Sequence, residues 1–146
     1  IKEINPTINF IFTVSPVRHI KDGFIENQQS KAHLITALHQ VIKSLENSFY
    51  FPSYEIMMDE LRDYRFYKED MIHPNNSAIN YIWEKFSENW LSNEALQIMQ
   101  QIKKIQRNLE HKPFNSESLS YKEFIKSTEQ KIKKLQEKLP HIFFNY

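Results

Sequence analysis

The chain has 146 residues, 40% of them hydrophobic and 25% charged, a composition that suits one globular domain or a large piece of one. Nineteen Lys and Arg against eighteen Asp and Glu leave a net charge of +1, which offers no electrostatic capture of nucleic acid, and no nucleic-acid partner is expected. The absence of cysteine excludes disulfides, thiol nucleophiles and thiolate metal sites, and the single glycine, Gly23, excludes a Gly-rich phosphate cradle within these residues.

Residues 8–14 form a short apolar run rich in aromatic and β-branched side chains, which predicts a strand. Its near-continuous apolarity suits a sheet covered on both faces, and Pro16, with no N–H to donate, ends it. Residues 16–27 read as a loop around Asp22, Gly23 and Asn27. From Ser30 the period changes: Ala32, Leu34, Ile35, Leu38, Val41, Ile42 and Leu45 recur at helical spacing, with Ser30 or Asn27 as the expected cap. Phe49–Phe51 predicts a second strand that Pro52 closes, and strand–helix–strand at this spacing is a βαβ unit with parallel strands.

Residues 53–62 predict a short helix capped by Ser53, and 63–76 an irregular segment. A helix then begins at Asn76 or Ser77 and carries Ile79, Ile82, Trp83, Phe86 and Trp90 on one face, where core packing is favoured over an aromatic cage. Two further amphipathic helices are predicted, over 93–110 and 119–138, forming an antiparallel hairpin. Lys131, Lys133, Lys134 and Lys138 cluster late in the last one, as favourable charge at a helix C-terminus. No apolar run approaches the roughly 20 residues of a membrane span.

Three groups of residues carry chemical potential. Asp70 stands three residues before His73 in Asp-Met-Ile-His-Pro-Asn, a loop just ahead of a helix. A carboxylate so placed accepts from one imidazole nitrogen and leaves the other as a base toward a hydroxyl. Pro74 keeps His73 out of helical conformation, so that the loop projects the ring. Arg18 and His19 follow the first strand, at the end where open α/β sheets bind ligands; either Arg18 grips a carboxylate or phosphate and His19 adds a donor, or both are ordinary surface residues of a solvated loop. Ser30 beside Lys31 evokes a Ser–Lys nucleophile, but adjacent helical positions do not face each other, and capping is the better reading. Asp70, His73 and His19 could be arranged as a metal site, and His33 and His39 lack one-face spacing; no metal or cofactor is expected.

Thr-Val-Ser-Pro-Val-Arg-His at 13–19, Asp22-Gly23, Asn27 and Ser30-Lys31 resemble the GSCFA family of bacterial proteins. The segment from Tyr50 to Tyr67 and Asp-Met-Ile-His-Pro-Asn at 70–75 resemble the same family in the same order, so that the likeness spans about residues 8–90. That family is similar to the SGNH, or GDSL-like, hydrolases. The resemblance implies an α/β fold, a flavodoxin-like three-layer parallel sheet with helices, here partial and followed by the helical hairpin. It implies cleavage of esters, including acetyl groups on carbohydrates, with His73 as general base and Asp70 orienting it. The family's nucleophilic serine lies in a Gly-Ser motif near the N-terminus, and the only glycine here is followed by Phe24.

Residues 1–91 are therefore expected to be the C-terminal part of such a domain, with 92–146 a helical extension serving as a cap or interaction element. The chain starts at Ile1 and leads directly into a strand, and the missing N-terminal half would be a partner in the sense of completing the fold. Without it, half a sheet would expose an apolar face. The leading function is a serine esterase acting on a small-molecule or carbohydrate ester, with Tyr64, Arg65 and Tyr67 either shaping the pocket or serving as packing. The alternative is a non-catalytic binding or interaction module on the same fold. The compartment is left open, with the cytoplasm favoured, since truncation would remove any N-terminal signal.

Overall fold

A computed structural model describes residues 1–144, and these described residues are of α/β class with five α-helices and one small parallel sheet. The chain divides into two compact units, Ile1–Trp90 and Leu91–Tyr146.

In the first unit, β1 (Phe10–Phe12) and β2 (Ser48–Tyr50) pair in parallel, with Ile11 opposite Phe49. The ladder continues past both labelled ends, since Phe10 N–H donates to Asn47 O and Phe51 N–H donates to Phe12 O, each at 2.8 Å. β1 is shorter than the apolar run 8–14 suggests, whereas β2 keeps the length of the expected 49–51 and starts one residue earlier. Ladder bonds need a partner at each position, and residues beyond that pairing lie outside the strand whatever their β propensity.

The connection is α1 (Phe24–Ser44), which begins within the segment expected to be a loop. Gly23, at φ 113°, precedes it in a conformation that side chains disfavour, so glycine marks the entry. Neither expected cap operates. Ser30 lies inside the helix, and the Asn27 carboxamide instead accepts from His19 N–H at 2.8 Å.

Residues 53–62 form a single α turn, α2 (Ser53–Glu55), that widens into a π turn over Ile56–Glu60. Ser53 does not cap it. Its hydroxyl donates to Val14 O at 2.8 Å and shares a 2.6 Å hydrogen bond with Thr13 Oγ1, tying the end of β1 to the segment after β2. A capping serine and a cross-strand serine look alike in sequence; the nearby unpaired carbonyl decides between them.

α3 (Asn76–Trp90) follows, with the Asn75 carboxamide accepting from Ala78 N–H at 3.1 Å at its start. Ala78 is completely buried, and Phe51, Ile56, Met57, Leu61 and Tyr67 close around it with Ile82, Phe86 and Trp90. Phe51 meets Phe86 edge-on and Phe49 meets Trp90 edge-on, each pair with centroids 5.2 Å apart. Trp83 departs from the core expectation: it is 48% exposed and stacked on Phe86.

In the second unit α4 (Asn93–Leu109) and α5 (Leu119–Lys138) are capped by Ser92 and Ser118, whose hydroxyls accept from Ala95 and Tyr121 N–H. Ile105, Ile132 and Leu135 form their core. Thr128 is buried within the pair, donating to Phe124 O and accepting from Asn108. Among the described residues no helix is long and apolar enough to cross a membrane.

Met57 is 1% exposed at the centre of the first unit's core. Met57→Ala leaves a cavity there and is expected to lower stability by about 2–5 kcal/mol in urea unfolding.

Candidate active site

The candidate site stands on the loop between the core and α3. Tyr67 and Pro74 form an isolated antiparallel bridge at the base of that loop. Lys68 N–H donates to His73 O and Asn75 N–H donates to Phe66 O, each at 2.8 Å. Asn75 reinforces the base by donating from its amide to Arg65 O at 2.6 Å. Tyr67 and Pro74 are buried, so the loop is rooted in the core while its tip is exposed.

At the tip Asp70 makes three hydrogen bonds. Oδ1 accepts from Ile72 N–H at 2.9 Å and from His73 N–H at 3.0 Å, while Oδ2 lies 2.7 Å from His73 Nδ1. The two main-chain amides, His73 first, and then the imidazole hold the Asp70 carboxyl well below its ordinary 3.8. An ionised carboxylate can only accept, so Nδ1 carries a proton, and in the neutral ring the lone pair is then on Nε2. Among the described residues nothing is hydrogen-bonded to Nε2, and the imidazole side chain is 52% exposed. The turn requires Met71 at φ 58°, a left-handed conformation that costs a non-glycine residue energy and that the bonds to Asp70 offset.

Beside the loop lies an open groove of about 620 Å³, lined chiefly by Ile11, Phe51, Ile79, Ile82, Trp83 and Phe86. Among the described residues, His73 and Lys68 are its only ionisable lining residues. The arrangement offers a base with a fixed tautomer next to an apolar surface, the elements of proton abstraction from a hydroxyl.

Arg18 and His19 occupy the segment after β1, as their positions in the sequence require. Arg18 Nη1 donates to Met71 O at 3.2 Å, and its guanidinium carbon sits 4.2 Å from the Tyr67 ring centroid and 5.8 Å from that of Tyr64. Tyr64 and Tyr67 thus pack on Arg18, whereas Arg65 lies over Phe66. The His19 side chain is exposed, and its N–H is engaged by Asn27. Lys31, adjacent to Ser30, is buried and donates from Nζ to Ser15 O at 2.6 Å; burial lowers its pKa from the ordinary value. The described residues contain no group of three or more His, Asp or Glu side chains that could hold a metal ion.

A model of the GSCFA family matches residues 1–86, more than half of the chain. The chain belongs to the GSCFA family. A second model, for the C-terminal domain of GSCFA domain proteins, matches residues 102–146. The family likeness therefore extends beyond residue 90, into the helices of the second unit, where no motif was legible in the sequence. No curated protein and no solved structure matches this GSCFA chain.

Sequence reasoning missed three parts of the site. Lys68 lines the groove, Asn75 braces the loop, and the main chain at Met71–Ile72 is gripped from both sides. Only Asn75 had a local signal, an Asn after Pro at a helix start.

Asp70 is ionised at lower pH in the folded chain than in the unfolded one, so its contribution to stability is complete above the ordinary 3.8 and is lost as pH falls below it. Asp70→Asn should therefore be less stable than the parent near neutrality. The gap should narrow as pH drops through about 4 toward 2, measured by urea unfolding across that range.

Proposed function

We propose that this GSCFA protein is an SGNH-like serine esterase, cleaving small-molecule or carbohydrate esters. His73 acts as general base and Asp70 orients it. The nucleophilic serine is supplied by a Gly-Ser motif upstream of these residues, as the resemblance to that superfamily implies. In this reading the two parallel strands belong to a larger flavodoxin-like sheet, residues 1–91 are the later part of the catalytic domain, and 92–146 are its helical extension.

The observation that carries the proposal is the Asp70–His73 pair itself: Nδ1 is held at 2.7 Å by an ionised carboxylate, and Nε2 is open beside the apolar groove. The parallel pairing of β1 and β2 adds support, because parallel strands occur almost only in sheets covered on both faces. Ile11 and Phe49, both about two-fifths exposed on this small sheet, are the apolar residues that further strands and their helices would cover.

In the reaction, His73 Nε2 takes the serine proton as the oxygen attacks the ester carbonyl. The imidazolium, stabilised by Asp70, returns that proton to the leaving alcohol, and water then releases the acyl group by the same route.

In the full-length protein, a fluorophosphonate probe should label one serine, and His73→Ala should lower both labelling rate and ester hydrolysis by about 10³-fold or more with the fold intact. Labelling of His73→Ala at the parent rate, or no labelling of the parent, would overturn the proposal.

A further inference from the structure

We propose that Arg18 is a positioning residue for the Asp70–His73 pair, setting the imidazole through the main chain of the Asp70–His73 turn. This rests on the reading of that pair as the functional one.

Two consecutive peptide groups run through the turn, and each is held at both ends. In the Met71–Ile72 peptide, the N–H of Ile72 donates to Asp70 Oδ1 at 2.9 Å and the carbonyl of Met71 accepts from Arg18 Nη1 at 3.2 Å. In the Ile72–His73 peptide, the N–H of His73 donates to Asp70 Oδ1 at 3.0 Å and the carbonyl of Ile72 accepts from Arg18 N–H at 3.2 Å. One residue, distant in sequence, thus grips both carbonyls while Asp70 grips both amides. Peptide groups are planar, so fixing both edges of each fixes the plane and with it the direction in which His73 leaves the chain.

The turn needs that support. Met71 sits at φ 58°, a left-handed backbone, and at 39% exposed it lies outside the buried core. Arg18 is itself immobilised. Its guanidinium stacks over the buried Tyr67, which shares the core with Met57. Its segment is anchored to α1 at both flanks, by Lys31 Nζ on Ser15 O and by the Asn27 carboxamide on His19 N–H. Lys31 is buried and makes its hydrogen bond to a carbonyl, which fits a structural tie. The chain of contacts therefore runs from α1, through 15–19, to the turn that carries the imidazole.

A lysine at position 18 keeps the charge but not the planar stack or the fixed donor geometry. A substrate-gripping role and a positioning role therefore separate cleanly. Under the positioning role, Arg18→Ala in the full-length enzyme lowers kcat by about 10–100-fold with KM changed less than about threefold, and Arg18→Lys restores little. A rise in KM at unchanged kcat, reversed by Arg18→Lys, overturns it in favour of direct substrate binding.

A second readout does not depend on esterase activity. Long-range proton–nitrogen correlation of the His73 ring reports the ratio of the Nδ1–H to the Nε2–H tautomer above the imidazole titration. The parent is expected to be mainly Nδ1–H, and in Arg18→Ala that ratio is expected to fall by about threefold or more. An unchanged ratio overturns the proposal even where hydrolysis is found, whereas a changed ratio in a protein without hydrolysis upholds it and sinks the esterase reading alone. If Arg18→Ala fails to fold, Arg18→Met keeps the aliphatic stem, removes the guanidinium donor to Met71 O and is read the same way.

Discussion

The site depends on one carboxylate. Asp70 satisfies two main-chain amides with one oxygen and the His73 ring with the other, so the group that closes the turn is also the group that fixes the tautomer. This double use explains why a short exposed loop can hold a defined imidazole. The backbone at Met71 is unfavourable by itself, and charge-assisted bonds to an ionised acceptor are strong enough to hold it. The same bonds keep the carboxyl ionised, which leaves Nδ1 as donor and Nε2 as the basic nitrogen.

Around that carboxylate the first unit supplies rigidity where the loop has none. Tyr67 and Pro74 anchor the loop base in a core centred on Ala78 and Met57, and the hydroxyl of Ser53 joins the end of β1 to the chain after β2. The parallel register of β1 and β2 carries the segment after β1, with Arg18, to the same side as the Asp70 turn. Parallel pairing is what makes this possible, because it brings both strand ends out at one edge, where α/β proteins place their chemistry.

Much of this was legible in the residues. The β-branched and aromatic runs and the change to helical period are local signals and were read as such; the serine caps of the last two helices came only with the structure. Asp-x-x-His-Pro-Asn was legible as a turn ahead of a helix because Pro74 restricts the residue before it. The errors share a cause. Asn27 and Ser53 carry side chains that can cap a helix or bind a remote main-chain group, and local sequence does not distinguish the two. Trp83 fits the apolar stripe of α3 by spacing, yet it lies half exposed along the groove, since spacing names a face and not what covers it. The family relationship of the second unit was not legible, because an amphipathic stripe of Ile and Leu is shared by many unrelated helices.

Sequence alone determined the α/β class, the parallel strand pair, and the presence of a carboxylate and an imidazole spaced to meet across a turn. Each of those follows from period, propensity or a spacing of three residues. Tertiary structure alone decided where Arg18 points. Its partners, Met71 and Tyr67, lie far along the chain, and a guanidinium that suits a substrate carboxylate suits a peptide carbonyl and an aromatic face equally well. Only the packing of the 15–19 segment against the loop selects between them.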